Sequence, residues 1–165
     1  MSLSVEQVRV FIVRPVCKFL ELWSEAAEEQ LMGTAAQESH FSYVDQLDRG
    51  GQYVLGPALG LWQMEPVTEL DIFNNFLKYK PALKVKVERL AGKWIPQCPP
   101  LLGDLHYQAA LARIHYYRVK ENLPAAHDLA GQAAYWKRYY NTFAGKGTVE
   151  EYIENYKRFI KGPAH

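Results

Sequence analysis

Between residues 16 and 37 apolar side chains recur at the three-to-four-residue interval of a helix, with Val16, Phe19, Leu20, Trp23, Ala26, Ala27, Leu31 and Ala35 in register. The spacing predicts one long amphipathic helix ending near Glu38, with Glu21, Glu25, Glu28 and Glu29 on its wetter side. Ahead of it, Ser4-Val5-Glu6-Gln7 has the form of a capping box and predicts a short first helix. Pro15 suits the first turn of the helix that follows.

Residues 42–62 break the helical pattern. Asp45, Asp48, Gly50, Gly51, Gly56, Pro57 and Gly60 are turn formers, and Tyr53-Val54-Leu55 has the composition of a short strand, so an irregular loop or small β-hairpin is expected. Helical spacing resumes after Pro66 through Leu70, Phe73, Phe76 and Leu77, with Thr68 as the expected N-cap. Pro81 opens another helix to about Leu90, and a Pro-rich connection runs from Trp94 to Gly103. Asp104 then caps a strong helix through Leu105, Ala109, Ala112, Ile114 and Tyr117. Residues 129–141 are helical again, and Thr148-Val149-Glu150-Glu151 forms a second capping box for a helix that Gly162-Pro163 stops. No repeat, linker or low-complexity tract interrupts the pattern. The expectation is a single, mainly α domain spanning residues 1–165.

Composition adds bounds rather than chemistry. The 165 residues, 48% hydrophobic and 22% charged, are ordinary for one globular domain. A net charge of +1 gives no bulk electrostatic case for nucleic acid or an anionic membrane, and the clusters at Lys78–Lys86 and Lys157–Lys161 read as solvated helix faces. Cys17 and Cys98 are too few for a disulfide framework and read as thiols rather than one bridge. His40, His106, His115 and His127 lack metal-ligand spacing, so neither metal nor cofactor is expected. The apolar run Val8 to Val13 is too short to span a membrane and is followed by no signal-cleavage pattern, so synthesis in a cytoplasm without stable membrane insertion is expected. Aromatics reach 13%, with 11 tyrosines and 4 tryptophans, which suits either a sugar-binding groove or an aromatic core. Tyr116 and Tyr117, beside His115, read as core packing.

The chemistry concentrates in Gly33-Thr34-Ala35-Ala36-Gln37-Glu38-Ser39-His40-Phe41. A carboxylate at the C-terminal end of an apolar helix meets the negative end of the helix dipole and a dry neighbourhood. Both disfavour its charged form and raise its pKa. A raised carboxyl pKa is what a general acid needs to protonate a glycosidic oxygen near neutral pH. His40 would oppose the shift if it were protonated.

A second stretch reads Gly56-Pro57-Ala58-Leu59-Gly60-Leu61-Trp62-Gln63-Met64-Glu65-Pro66, and a third reads Tyr139-Tyr140-Asn141-Thr142-Phe143-Ala144-Gly145-Lys146-Gly147. Glu-Ser, then a turn-rich loop, then Gly-Leu-x-Gln resembles the lytic transglycosylase and goose-type lysozyme group, in particular phage-encoded members. Trp62 stands where that group more often has Met. The third stretch is similar to the group's Ala-Tyr-Asn-Ala-Gly segment, with Tyr139 in place of Ala and the glycine displaced. The resemblance implies a lysozyme-like fold and cleavage of the β-1,4 bond between N-acetylmuramic acid and N-acetylglucosamine in peptidoglycan, with Glu38 as the acid. It also implies substrate contacts from Ser39, Gly60, Gln63, Met64, Tyr140 and Asn141. A hydrolase would need a second carboxylate, for which Glu65, Asp45 and Asp48 are the candidates; a transglycosylase would not. Peptidoglycan glycan strands are the implied partner, with other virion proteins as further partners if the protein travels in a virion. The alternative is a non-catalytic virion or wall-binding module that keeps the cleft without the chemistry.

Overall fold

The computed structural model describes residues 3–42, 44–45, 56–141 and 145–162. These residues are mainly helical, and no strand occurs among them; two isolated antiparallel bridges pair Leu59 with Met64 and Ile95 with Cys98. The strand expected at residues 53–55 and the candidate Asp48 lie outside the described residues.

The N-terminal helix runs without a break through α1 (Val5–Val8), a π-helical turn (Arg9–Val13) and α2 (Arg14–Phe19). Ser4 caps it by accepting from the Gln7 amide. The widened turn sits where Pro15 removes an N–H that would otherwise bond the Phe11 carbonyl. His106 Nε2 lies 3.1 Å from that carbonyl oxygen and supplies the missing donor from across the fold.

The single helix expected over residues 16–37 is two. Cys17 and Lys18 carbonyls accept from Leu22 and Glu21 amides at 2.8 and 3.0 Å, and Glu21 is left-handed at φ 59°, which together close α2 in a Schellman motif. Ser24 then opens α3 (Glu25–Ser39) by accepting from the Ala27 amide at 3.0 Å. The break turns Phe19 and Trp23, both read as apolar-face positions, outward to 40% and 42% exposure. It also buries Glu28, expected on the wet side, at 4% exposure. There Glu28 accepts from Arg14, Trp23 and Arg9, so the buried charge is fully met by donors.

Downstream, α4 (Pro66–Asn75) starts three residues earlier than Thr68 would have set it: Glu65 is the N-cap and Pro66, which has no N–H to satisfy, takes the first turn. A 3-10 turn (Leu77–Tyr79), α5 (Pro81–Leu90) and the one-turn α6 (Pro100–Gly103) lead to α7 (Leu105–Tyr117). Asp104 caps α7 by accepting from His106 and Tyr107 amides. This helix is the axle of the molecule, packing against α2, α3, α4, α5 and α6. Its buried residues include Ala109, Ala110 and Ala112, whose small side chains let neighbouring helices approach from every side. Tyr116 is buried as expected, whereas Tyr117 turns out to 41% exposure.

The chain ends with α8 (Leu129–Trp136), a π-helical turn (Lys137–Asn141), α9 (Val149–Tyr156) with the Thr148–Glu151 capping box, and a last π turn (Lys157–Lys161). α9 lies so close to α3 that a Cβ on Gly33 would fall 2.0 Å from the Tyr152 hydroxyl. Cys17 and Cys98 are both free thiols. Among the described residues no helix is long and apolar enough to cross a membrane.

Candidate active site

Glu38 sits one residue from the end of α3. Beyond it the chain turns through two left-handed non-glycine residues, His40 at φ 53° and Phe41 at φ 54°. Such backbone is costly for residues with a Cβ. Complete burial of the Phe41 ring offsets the cost and holds the corner.

The loop after residue 56 supplies the facing wall. Leu59 and Met64 exchange backbone hydrogen bonds at 3.0 and 2.9 Å, closing a tight turn over Gly60-Leu61-Trp62-Gln63. Gly60 is at φ 77°, with buried Gln108 and the Leu101 carbonyl where a Cβ would go, so only glycine fits. Three long-range bonds lock the turn in place. Leu61 N–H donates to Gln108 Oε1 at 2.9 Å, Trp62 Nε1 to the Leu31 carbonyl of α3 at 2.9 Å, and Tyr140 Oη to the Trp62 carbonyl at 2.7 Å. The Trp62 ring is 1% exposed. Trp62 therefore acts as a rivet between loop and helix rather than as an exposed ring platform.

These elements enclose a cavity of about 480 Å³ lined by Glu38, Gln63, Met64, Glu65, Thr68, His115, Tyr140, Asn141 and Gly145. Four separate stretches of sequence thus meet at one half-open cleft, and its lining is mostly polar. Trp136 Nε1 donates to Glu38 Oε1 at 2.9 Å. Burial pushes the Glu38 carboxyl up to about 7, because removing water penalises the charged form more than the Trp136 hydrogen bond favours it. The neighbouring His40 does not counter this: burial and Arg158 hold its pKa down, and its ring stacks on Phe159 at 4.9 Å.

Opposite Glu38, Gln63 holds a left-handed backbone at φ 45°, and its Nε2 donates to the Gly60 carbonyl at 2.7 Å. That bond leaves its Oε1 as an acceptor. Lys137 Nζ donates to Asn141 Oδ1 at 2.7 Å and to the Gly145 carbonyl at 2.8 Å. An ammonium only donates, so Lys137 fixes which way the Asn141 amide points. His115 is pushed down to about 4 by burial and then by Arg118, and is neutral around pH 7. Arg118 lies 3.0 Å from His115 Nδ1, which must accept, so the ring proton sits on Nε2.

Several sequence candidates fall elsewhere. Ser39 is fully buried and its hydroxyl donates back to the Ala35 carbonyl at 3.1 Å; it finishes α3 and does not line the cleft. Gly60 shapes the turn without lining the cavity. Asp45 is buried, accepts from the Gly56 amide at 3.0 Å and is absent from the cavity wall, which makes it a loop brace. Of the described second carboxylates, Glu65 alone lines the cavity. Sequence reasoning missed Trp136, Thr68 and His115: the first carries no local motif, the second read as a cap, and the third lies inside an aromatic run that resembles core. Among the described residues no group of three or more His, Cys, Asp or Glu side chains is placed to hold a metal ion. No family model, curated protein or solved structure matches the chain.

Proposed function

We propose that the protein is a peptidoglycan-cleaving glycosidase, a lytic transglycosylase or muramidase with a lysozyme-like cleft, in which Glu38 is the general acid. The observation that carries the reading is a carboxyl raised to about 7 by burial, hydrogen-bonded through one oxygen to Trp136, in a polar cleft. A carboxyl in that state is substantially protonated near neutral pH and has a driving force for transfer. The resemblance of the Glu38-Ser39, Gly60–Gln63 and Tyr140-Asn141 segments to the lytic transglycosylase group points to the same chemistry.

In the proposed reaction the Glu38 proton passes to the glycosidic oxygen as its bond to the muramic C1 breaks, leaving an oxocarbenium-like sugar and a Glu38 carboxylate. The carboxylate then takes the proton of the muramic C6 hydroxyl while that oxygen bonds to C1. A 1,6-anhydro end forms, no water is consumed and Glu38 is reprotonated. Gln63 and Asn141 offer acceptor and amide groups suited to an N-acetyl group, and Tyr140 braces the wall between them. Glu65 is the one described candidate on the cavity for placing a water, so hydrolysis would run through it; the one-carboxylate route is favoured because Glu65 is an exposed cap residue of α4.

Digestion of purified peptidoglycan followed by mass analysis of the fragments tests the reading. Anhydro-muramic ends are the expected product, and reducing muramic ends would assign a muramidase instead. Absence of any soluble fragment across walls of several hosts would refute the glycosidase and leave a non-catalytic virion or wall-binding module.

A further inference from the structure

His115 forms a wall shared by two cavities. On one side lies the Glu38 cleft; on the other is an open depression of about 510 Å³ lined by His115, Arg118, Val119, Lys120, Glu121, Arg138 and Tyr139. Three cations and one carboxylate line this second cavity, a local excess in a chain whose net charge is only +1. Its charges are not equally committed. Arg118 is held by Asp71 at 2.5 Å, and Glu121 accepts from the Tyr139 hydroxyl. Arg138 approaches Glu121 at 3.5 Å with both side chains well exposed, a pair that solvent screens. Lys120 has no ion pair among the described residues, and it is exposed. Tyr139 and Val119 add apolar surface to the lining, and Arg138 lies over the Tyr139 ring at 5.1 Å.

Resting on the glycosidase reading, we infer that this second cavity is a binding site for the acidic stem peptide that peptidoglycan carries on its muramic residues. A glycan strand lying in the Glu38 cleft projects its lactyl-linked peptides sideways, and a stem peptide combines small apolar side chains with several carboxylates. Lys120 and Arg138 meet the carboxylates, while Val119 and the Tyr139 ring meet the apolar portions. His115, neutral and fixed by Arg118 on one side, separates the sugar site from the peptide site without adding charge to either.

The test compares wild type with a Lys120→Glu/Arg138→Glu double variant on two substrates: intact peptide-bearing strands, and strands stripped of peptide by an amidase, which keep their lactyl carboxylates. The ratio of rates, intact over stripped, is expected to fall about tenfold in the double variant, the size two reversed surface charges can support. An unchanged ratio, with both substrates affected alike, would overturn the proposal and assign any charge reading to the lactyl group. If wild type cleaves neither substrate, the glycosidase reading fails by itself. The pocket is then decided by titrating wild type with a free acidic stem tetrapeptide and following backbone amide shifts by NMR. Shifts at residues 119–121 and 139 that vanish in the double variant support the pocket; their absence in wild type overturns it.

Discussion

The indole N–H of Trp136, at the end of α8, donates to Glu38 Oε1 at 2.9 Å, joining residues 98 positions apart. The bond orients the carboxyl group within the cleft. It also restrains the pKa, since a donor favours the carboxylate while burial opposes it. Removing the donor in Trp136→Phe therefore moves the Glu38 pKa further up from about 7. Carboxyl-carbon NMR titration checks this independently of any activity, with circular dichroism confirming the fold. An unchanged pKa would show that the indole does not reach the carboxyl.

The same carboxyl gives stability a pH dependence opposite to that of most acids. Its folded pKa of about 7 exceeds its ordinary 4.5, so between those values the native state holds more protons than the unfolded state. Stability from this group is full below about 4.5 and declines as pH rises to about 7. Glu38→Gln abolishes the decline while keeping an oxygen for Trp136. Urea unfolding should show the variant gaining on wild type, between pH 4 and pH 8, on the order of 3 kcal/mol at about 1.4 kcal/mol per pKa unit. An equal stability gap at both pH values contradicts the burial of this carboxyl.

Glu28 behaves in the opposite sense. Burial alone would raise its carboxyl, but hydrogen bonds from Arg14, Trp23 and Arg9 outweigh burial and hold it down at about 2. Its contribution is present above its ordinary 4.5 and is lost as pH falls toward about 2. Glu28→Gln should be clearly destabilised at pH 7, by about 3–5 kcal/mol because two arginines lose their buried partner. The deficit should shrink as the pH of the unfolding experiment is lowered through that window. A deficit that stays constant down to pH 2 would mean the network carries no net charge effect.

Most helices were legible because their signals are local: Pro81 at a first turn, Asp104 and Thr148 as caps, and the apolar period through α7. The break between α2 and α3 was not, since Glu21 occupies a left-handed position usually marked by glycine while the apolar period runs on across it. Glu28 was misread for the same reason, because a helix bent at residues 20–24 presents a different face to the core. At the site, Glu38, Gln63, Tyr140 and Asn141 stood out by motif and line one cavity. Trp136 and His115 did not, because their roles come from long-range packing of α8 and α7 on α3, which no spacing encodes.

The packing of α9 on α3 depends in turn on Gly33. Helix propensity alone would make Gly33→Ala stabilising by about 1 kcal/mol. The added Cβ would instead lie 2.0 Å from the Tyr152 hydroxyl and 2.6 Å from its ring carbon, forcing α9 away from α3. A net loss of about 1–3 kcal/mol is expected, and with it a lower melting temperature. Partial recovery in Gly33→Ala/Tyr152→Phe, read by the same thermal melts, would tie the loss to the hydroxyl; a melting temperature above wild type for Gly33→Ala alone would contradict the close approach.

The most direct measurement is the turnover of purified peptidoglycan by Glu38→Gln and Glu65→Gln beside wild type. An amide at residue 38 keeps size and the Trp136 bond but delivers no proton, so the rate should fall by about 10²–10⁴ with the fold intact. Under the one-carboxylate route Glu65→Gln should retain substantial activity, because Glu65 lines the cavity without holding the transferable proton. Wild-type turnover by Glu38→Gln, or abolition by Glu65→Gln instead, would contradict the assignment of Glu38 as the acid.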